Sequence, residues 1–92
     1  MKNITLELKH MTTKAHLHAY LKRELEFPNY YGENLDALHD CLTDIQDKLT
    51  ISIPQGLSGE HMLGDYGKTV IRVFRDAAKA NHHLKVVVRR RD

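Results

Sequence analysis

The sequence predicts a small α/β domain, with three strands in one parallel sheet packed against three or four helices. Three observations lead there. The chain has 92 residues, a length that suits a single domain spanning 1–92. Period-two apolar patterns near the start and middle and a β-branched run near the end are separated by helical periodicities, in the order β-α-α-β-α-β. Strands separated by helices favour parallel pairing through right-handed crossovers.

Ile4, Leu6 and Leu8 alternate with Asn3, Thr5, Glu7 and Lys9, which predicts a strand over 3–9. Thr12 and Thr13 can cap the helix that follows. Leu17, Leu21 and Leu25 recur every four residues, so an amphipathic helix is expected over about 13–26. Pro28 ends it, because the residue before a proline is pushed out of the helical region. Asn29 to Glu33 reads as a loop in which Gly32 would permit a positive φ. Asn34 is a good N-cap. Leu35, Leu38, Leu42 and Ile45 then form one apolar stripe, predicting a helix over 34–45.

Leu49, Ile51 and Ile53 alternate with Lys48, Thr50 and Ser52, which predicts a strand over 48–53. Between Pro54 and Gly67 stand four glycines, a loop signal, with room for one helical turn around Glu60 to Leu63. Val70, Ile71, Val73, Phe74, Ala77 and Ala78 predict a buried helix over 68–81, with Asn81 as its stop. Leu84 to Val88 is a β-branched run bounded by charge, and it reads as a central or well-covered strand over 84–89.

A single cysteine, Cys41, excludes an internal disulfide and suits a reducing compartment. The N-terminus alternates and has no apolar core of a signal peptide. No run approaches the roughly 20 apolar residues that a membrane span needs. The expectation is a soluble cytoplasmic protein, monomeric when free, with no membrane partner.

The net charge of +2 hides a segregation. Glu24, Glu26, Glu33, Asp36, Asp40, Asp44 and Asp47 crowd a segment with no Lys or Arg, while the rest carries 14 basic residues against five acids. Asp36, Asp40 and Asp44 recur every four residues, one above another on a helix. Such like-charge pairs each cost an isolated helix roughly 0.2–0.5 kcal/mol. The macrodipole offsets part of this near the helix start but does not reach Asp44. Three stacked acids are therefore poor for stability alone, and they suit a basic partner. A solvated acidic face is the plainer reading of the same charges.

Other chemistries find little footing. His39 and Asp40 are sequence neighbours whose side chains diverge on a helix, and acid–base catalysis needs convergent groups. No nucleophile elbow or phosphate loop is present, so no enzyme is expected. His16 and His18 point apart, His82 and His83 are adjacent, and no pair has zinc spacing, so no metal or cofactor is expected. The rival reading is a small nucleic-acid-binding module using the basic end Arg89, Arg90 and Arg91. Few aromatics are available for stacking, and the most distinctive motif is acidic, which makes nucleic acid a poor fit.

The string Pro28-Asn29-Tyr30-Tyr31-Gly32-Glu33-Asn34-Leu35-Asp36-Ala37-Leu38-His39-Asp40-Cys41-Leu42-Thr43 strongly resembles the barstar family, intracellular inhibitors of a secreted bacterial ribonuclease. Leu21 to Leu25 and Val73 to Ala77 are similar to its neighbouring helices. The resemblance implies an immunity-type inhibitor that occludes the active site of a basic bacterial ribonuclease or ribonuclease-type toxin. It implies that Asp40 sits where substrate phosphate would sit, ringed by Tyr30, Gly32, Asn34, Leu35, Asp36 and Thr43, with Asp76 as a further contact. His39 and Asp44 complete the expected partner-binding set. Two positions depart from the family pattern: His39 stands where tryptophan is expected, and Ala80 where a second acid is expected.

Overall fold

The computed structural model describes residues 2–59 and 63–90. In chain order it contains β1 (Lys2–Thr5), α1 (Lys14–Glu24), α2 (Leu35–Thr43), β2 (Leu49–Pro54), α3 (Gly64–Ala80) and β3 (Leu84–Arg89), with short 3-10 turns at Leu8–His10 and Gln55–Ser58. The three strands form one parallel sheet in the order β1-β2-β3. Ile4 pairs with Ile51, and Ile51 with Val86. Strand order follows chain order, so crossovers of one hand put both helical connections on the same face. Ile4, Leu49, Ile51, Ile53 and Leu84 are buried in one core with Leu17, Leu21, Leu38, Leu42, Val70, Phe74 and Ala77 from the helices.

Three expectations are corrected. The first strand ends at Thr5 and does not run to 9. Leu6 still donates its N–H to Ser52 O at 2.9 Å, but the next N–H, of Glu7, turns to the Tyr20 hydroxyl at 3.0 Å, and a 3-10 turn follows. The third helix starts at Gly64, four residues before 68, because Gly67 lets it lie directly on the Leu57 backbone. β3 is an edge strand, not a central one. Its Lys85, Val87 and Arg89 are exposed, and flanking cations of this kind protect a sheet edge. In the 54–67 loop a described helical turn lies at Gln55–Ser58. The turn expected around Glu60 lies mostly outside the described residues.

Asn81 does more than stop α3. It is buried, and its Nδ2 donates to Ile45 O at 2.9 Å and Leu42 O at 3.0 Å, with Thr43 O at 3.4 Å. Its Oδ1 accepts from the His83 N–H at 3.0 Å. One amide thus satisfies the carbonyls left over at the end of α2. It also explains why α2 stops at Thr43, short of 45. Asn81→Ala strands these buried groups and is expected to cost about 2–3 kcal/mol in urea denaturation. An unchanged midpoint would show that water replaces the amide.

Candidate functional site

The approach segment between α1 and α2 is fixed by local chemistry. α1 ends in a Schellman-type turn: Phe27 N–H donates to Lys22 O at 3.0 Å, and Glu26 takes the left-handed position with φ 55°. Tyr31 N–H donates to Pro28 O at 3.0 Å and closes a turn over 28–31. Tyr31 is buried against Phe27, with ring centroids 4.8 Å apart. Tyr30, next to it, is 85 % exposed. Adjacent tyrosines thus divide their labour, one anchoring the loop and the other offering an amphipathic surface.

Gly32 does not supply the positive φ; Glu33 does, at 54°. Gly32 instead leaves room for the capping side chain, which a methyl group would press by a few tenths of an ångström. A Cβ there would stand 3.1 Å from Asn34 Nδ2 and 3.4 Å from Ala37 Cβ. Asn34 caps α2, its Oδ1 accepting from the Ala37 N–H at 2.8 Å and its Nδ2 donating to Gly32 O at 3.3 Å. The loop and the helix start are therefore one hydrogen-bonded unit.

Asp36, Asp40 and Asp44 are all exposed along α2, opposite buried Leu38 and Leu42. None of the three carboxylates makes a hydrogen bond or ion pair with the described residues. Asp44 is already the C-cap of the helix. Leu35 is half-buried at the helix start. A recess of about 490 Å³ lies between loop and helix, lined by Phe27, Tyr30, Tyr31, Cys41, Asp40 and Asp44 among others. Burial pushes the Cys41 thiol above its ordinary pKa, and Asp44 and Asp40 push it further. The recess is thus apolar in its walls and electronegative at its mouth. A second recess of about 400 Å³ brings together Asn34, Leu35, Asp36 and Tyr66.

Three expected residues line neither recess. His39 is half-buried on α2, Thr43 turns its hydroxyl to Asp40 O at 3.0 Å, and Asp76 is exposed on α3. Two residues near the site escape sequence reasoning. His18 and Tyr66 sit 48 positions apart, yet the ring Nε2 and the hydroxyl are 2.7 Å from each other. Neither a histidine next to Leu17 nor a tyrosine next to Gly67 carries a local sign of the other. At the basic end, Arg89 donates to Leu6 O, tying β3 to the chain after β1. Arg90 is exposed and Arg91 lies outside the described residues. Among the described residues no group of three or more His, Cys, Asp or Glu is arranged to hold a metal, and no helix is long and apolar enough to cross a membrane.

Parallel sheet, helices and approach loop together make a small α/β domain with Asp36, Asp40 and Asp44 exposed along α2. The chain belongs to the barstar family: the family model described as Barstar (barnase inhibitor) matches residues 1–90. It is also 38% identical over 90 residues to a Bacillus subtilis (strain 168) protein named "Putative ribonuclease inhibitor YrdF", a match covering 96% of this chain and 99% of that one.

Proposed function

We propose that this protein inhibits a basic bacterial ribonuclease or ribonuclease-type toxin, without catalysis of its own, by laying its acidic loop–helix surface over the enzyme's active site. The observation that carries this reading is the stack of Asp36, Asp40 and Asp44, exposed and unpaired among the described residues beside an 85 % exposed Tyr30. Family membership and the name of the Bacillus subtilis relative support it. A ribonuclease cleft binds phosphate through cations, and a carboxylate at the same place forms charge-assisted bonds to them. Tyr30, Gly32, Asn34, Leu35, Asp36, Asp40 and Asp44 form the docking face; His39, Thr43 and Asp76 form its margin. Interfaces built on fixed surfaces move little on docking.

The test is RNA hydrolysis by barnase and other small basic bacterial ribonucleases with increasing inhibitor, with amide shifts mapped in the bound state. Stoichiometric loss of activity with shifts over residues 30–44 is expected. Binding of RNA through the basic end, with no ribonuclease bound, would replace this reading with the nucleic-acid one.

His39 provides a second handle. Tryptophan offers more contact area than histidine and often anchors interfaces. His39→Trp is expected to tighten barnase binding by roughly tenfold, about 1.4 kcal/mol. Equal Kd for both proteins would show that the position lies outside the contact.

A further inference from the structure

His18 is the one fully buried histidine among the described residues, only 2 % exposed, and the docking face does not include it. Its Nδ1 lies 2.6 Å from the Tyr31 hydroxyl in the approach loop. Its Nε2 lies 2.7 Å from the Tyr66 hydroxyl near the start of α3. Both ring nitrogens are therefore committed, and three separate parts of the chain meet on one imidazole. Tyr31 adjoins Tyr30 and Gly32, while Tyr66 shares a recess with Asn34, Leu35 and Asp36. Tyr31 and Tyr66 thus adjoin the loop and the helix start of the docking segment.

We propose that the Tyr31–His18–Tyr66 chain is a positioning unit, with His18 as the positioning residue that holds the Tyr30–Gly32 loop in register with the start of α2 for docking. The inference rests on the inhibitory reading for what docks, but the loop's order can be measured with no partner present. Neutral imidazole has one N–H and one bare nitrogen, so one tyrosine accepts and the other donates. Imidazolium has two N–H groups, and the donating tyrosine must turn its proton away. Hydroxyl networks of this kind fix geometry when every member is satisfied.

The surroundings favour the neutral ring. Burial lowers the His18 pKa below 6.5, and the charge of Glu33 opposes this more weakly. Tyr31, facing Cys41 and Glu33, and Tyr66 both have pKa values raised chiefly by burial and stay protonated near neutrality. Lys14 lies 4.6 Å over the Tyr66 ring and adds positive charge on the α1 side. A histidine whose folded pKa is depressed stabilises the fold fully above about 6.5, and that contribution is lost as pH falls below it.

The test compares wild type, Tyr66→Phe and His18→Gln. Tyr66→Phe keeps the ring and removes only the hydroxyl, so it remains informative if His18→Gln does not fold. Hydrogen-exchange protection is measured at residues 29–33 and at the β2 core between about pH 5 and 7.5, a range that spans the ordinary histidine pKa. Association and dissociation rates with barnase are measured alongside. In Tyr66→Phe, loop protection is expected to fall roughly three- to tenfold, the usual yield of one hydrogen bond, with β2 protection unchanged. Wild-type loop protection should fall below about pH 6.5, and His18→Gln should flatten that profile. Barnase affinity should weaken in step with the loop. Unchanged loop protection in Tyr66→Phe would overturn the proposal, as would a loosened loop with unaltered barnase affinity. Failure of wild type to bind any ribonuclease would overturn the inhibitory reading and, with it, the docking role of the three side chains.

Discussion

Asp40→Asn is expected to weaken inhibition of a ribonuclease by roughly 30- to 4,000-fold while leaving the protein at least as stable. The substitution keeps the shape and removes the charge at the centre of the stack. In the complex it strands the enzyme's cations, which ordinarily costs about 2–5 kcal/mol, a range to which the barnase–barstar pair itself contributes, so the magnitude comes with the family rather than from this geometry. In the free protein the Asp40 carboxylate has no hydrogen bond or ion pair among the described residues, so none is lost. It faces Asp36 one turn before and Asp44 one turn after, and relieving each repulsion returns roughly 0.2–0.5 kcal/mol to the helix. The signature is therefore opposite in sign for binding and folding. Inhibition assays and thermal unfolding on the same preparation read both. Salt should narrow the gap in association rate between the two proteins, since screening weakens steering. Equal inhibition by variant and wild type would remove Asp40 from the centre of the interface.

Gly67→Ala is expected to lower stability, against the usual preference of a helix for alanine. In an exposed helix interior the change would stabilise by about 1 kcal/mol. Here a Cβ would stand 2.0 Å from Leu57 O, 2.7 Å from Leu57 C and 3.1 Å from Ser58 Cα. Those atoms are backbone of the Gln55–Ser58 turn, so no side-chain rotation can make room. Either the turn or α3 must shift, and Val70, Phe74 and Ala77 would move with the helix. Overpacking of this kind costs roughly 3 kcal/mol, which outweighs a propensity gain of about a third of that. The net loss of about 2 kcal/mol should lower the melting temperature of a domain of this size by roughly 8–16 °C. A melting temperature within a few degrees of wild type would mean that the close approach is not kept in solution.

Much of the fold is legible because two periods are written plainly in the chain. Leu49, Ile51 and Ile53 fit a strand with one buried face, and Leu35, Leu38 and Leu42 fit a helix with one buried stripe. Asn34 announces its cap. Misreadings fall where local signals carry two meanings. Gly64 and Gly67 read as loop residues, but Gly67 serves close helix packing and Gly64 takes a positive φ at the helix start. Leu84 to Val88 reads as central, since a short apolar run does not tell how many of its edges are paired. Gly32 draws the expectation of a positive φ that Glu33 in fact adopts.

Spacing along single segments suffices for the alternating elements, their parallel connection and the acidic row on α2, because each depends on neighbours a few residues away. The folded chain alone settles that Asn81 closes the end of α2, that Gly67 meets Leu57, and that His18 joins Tyr31 to Tyr66. These contacts link residues far apart in the chain. Hydrogen bonds and close approaches turn on a few tenths of an ångström, and no local pattern encodes distances of that kind.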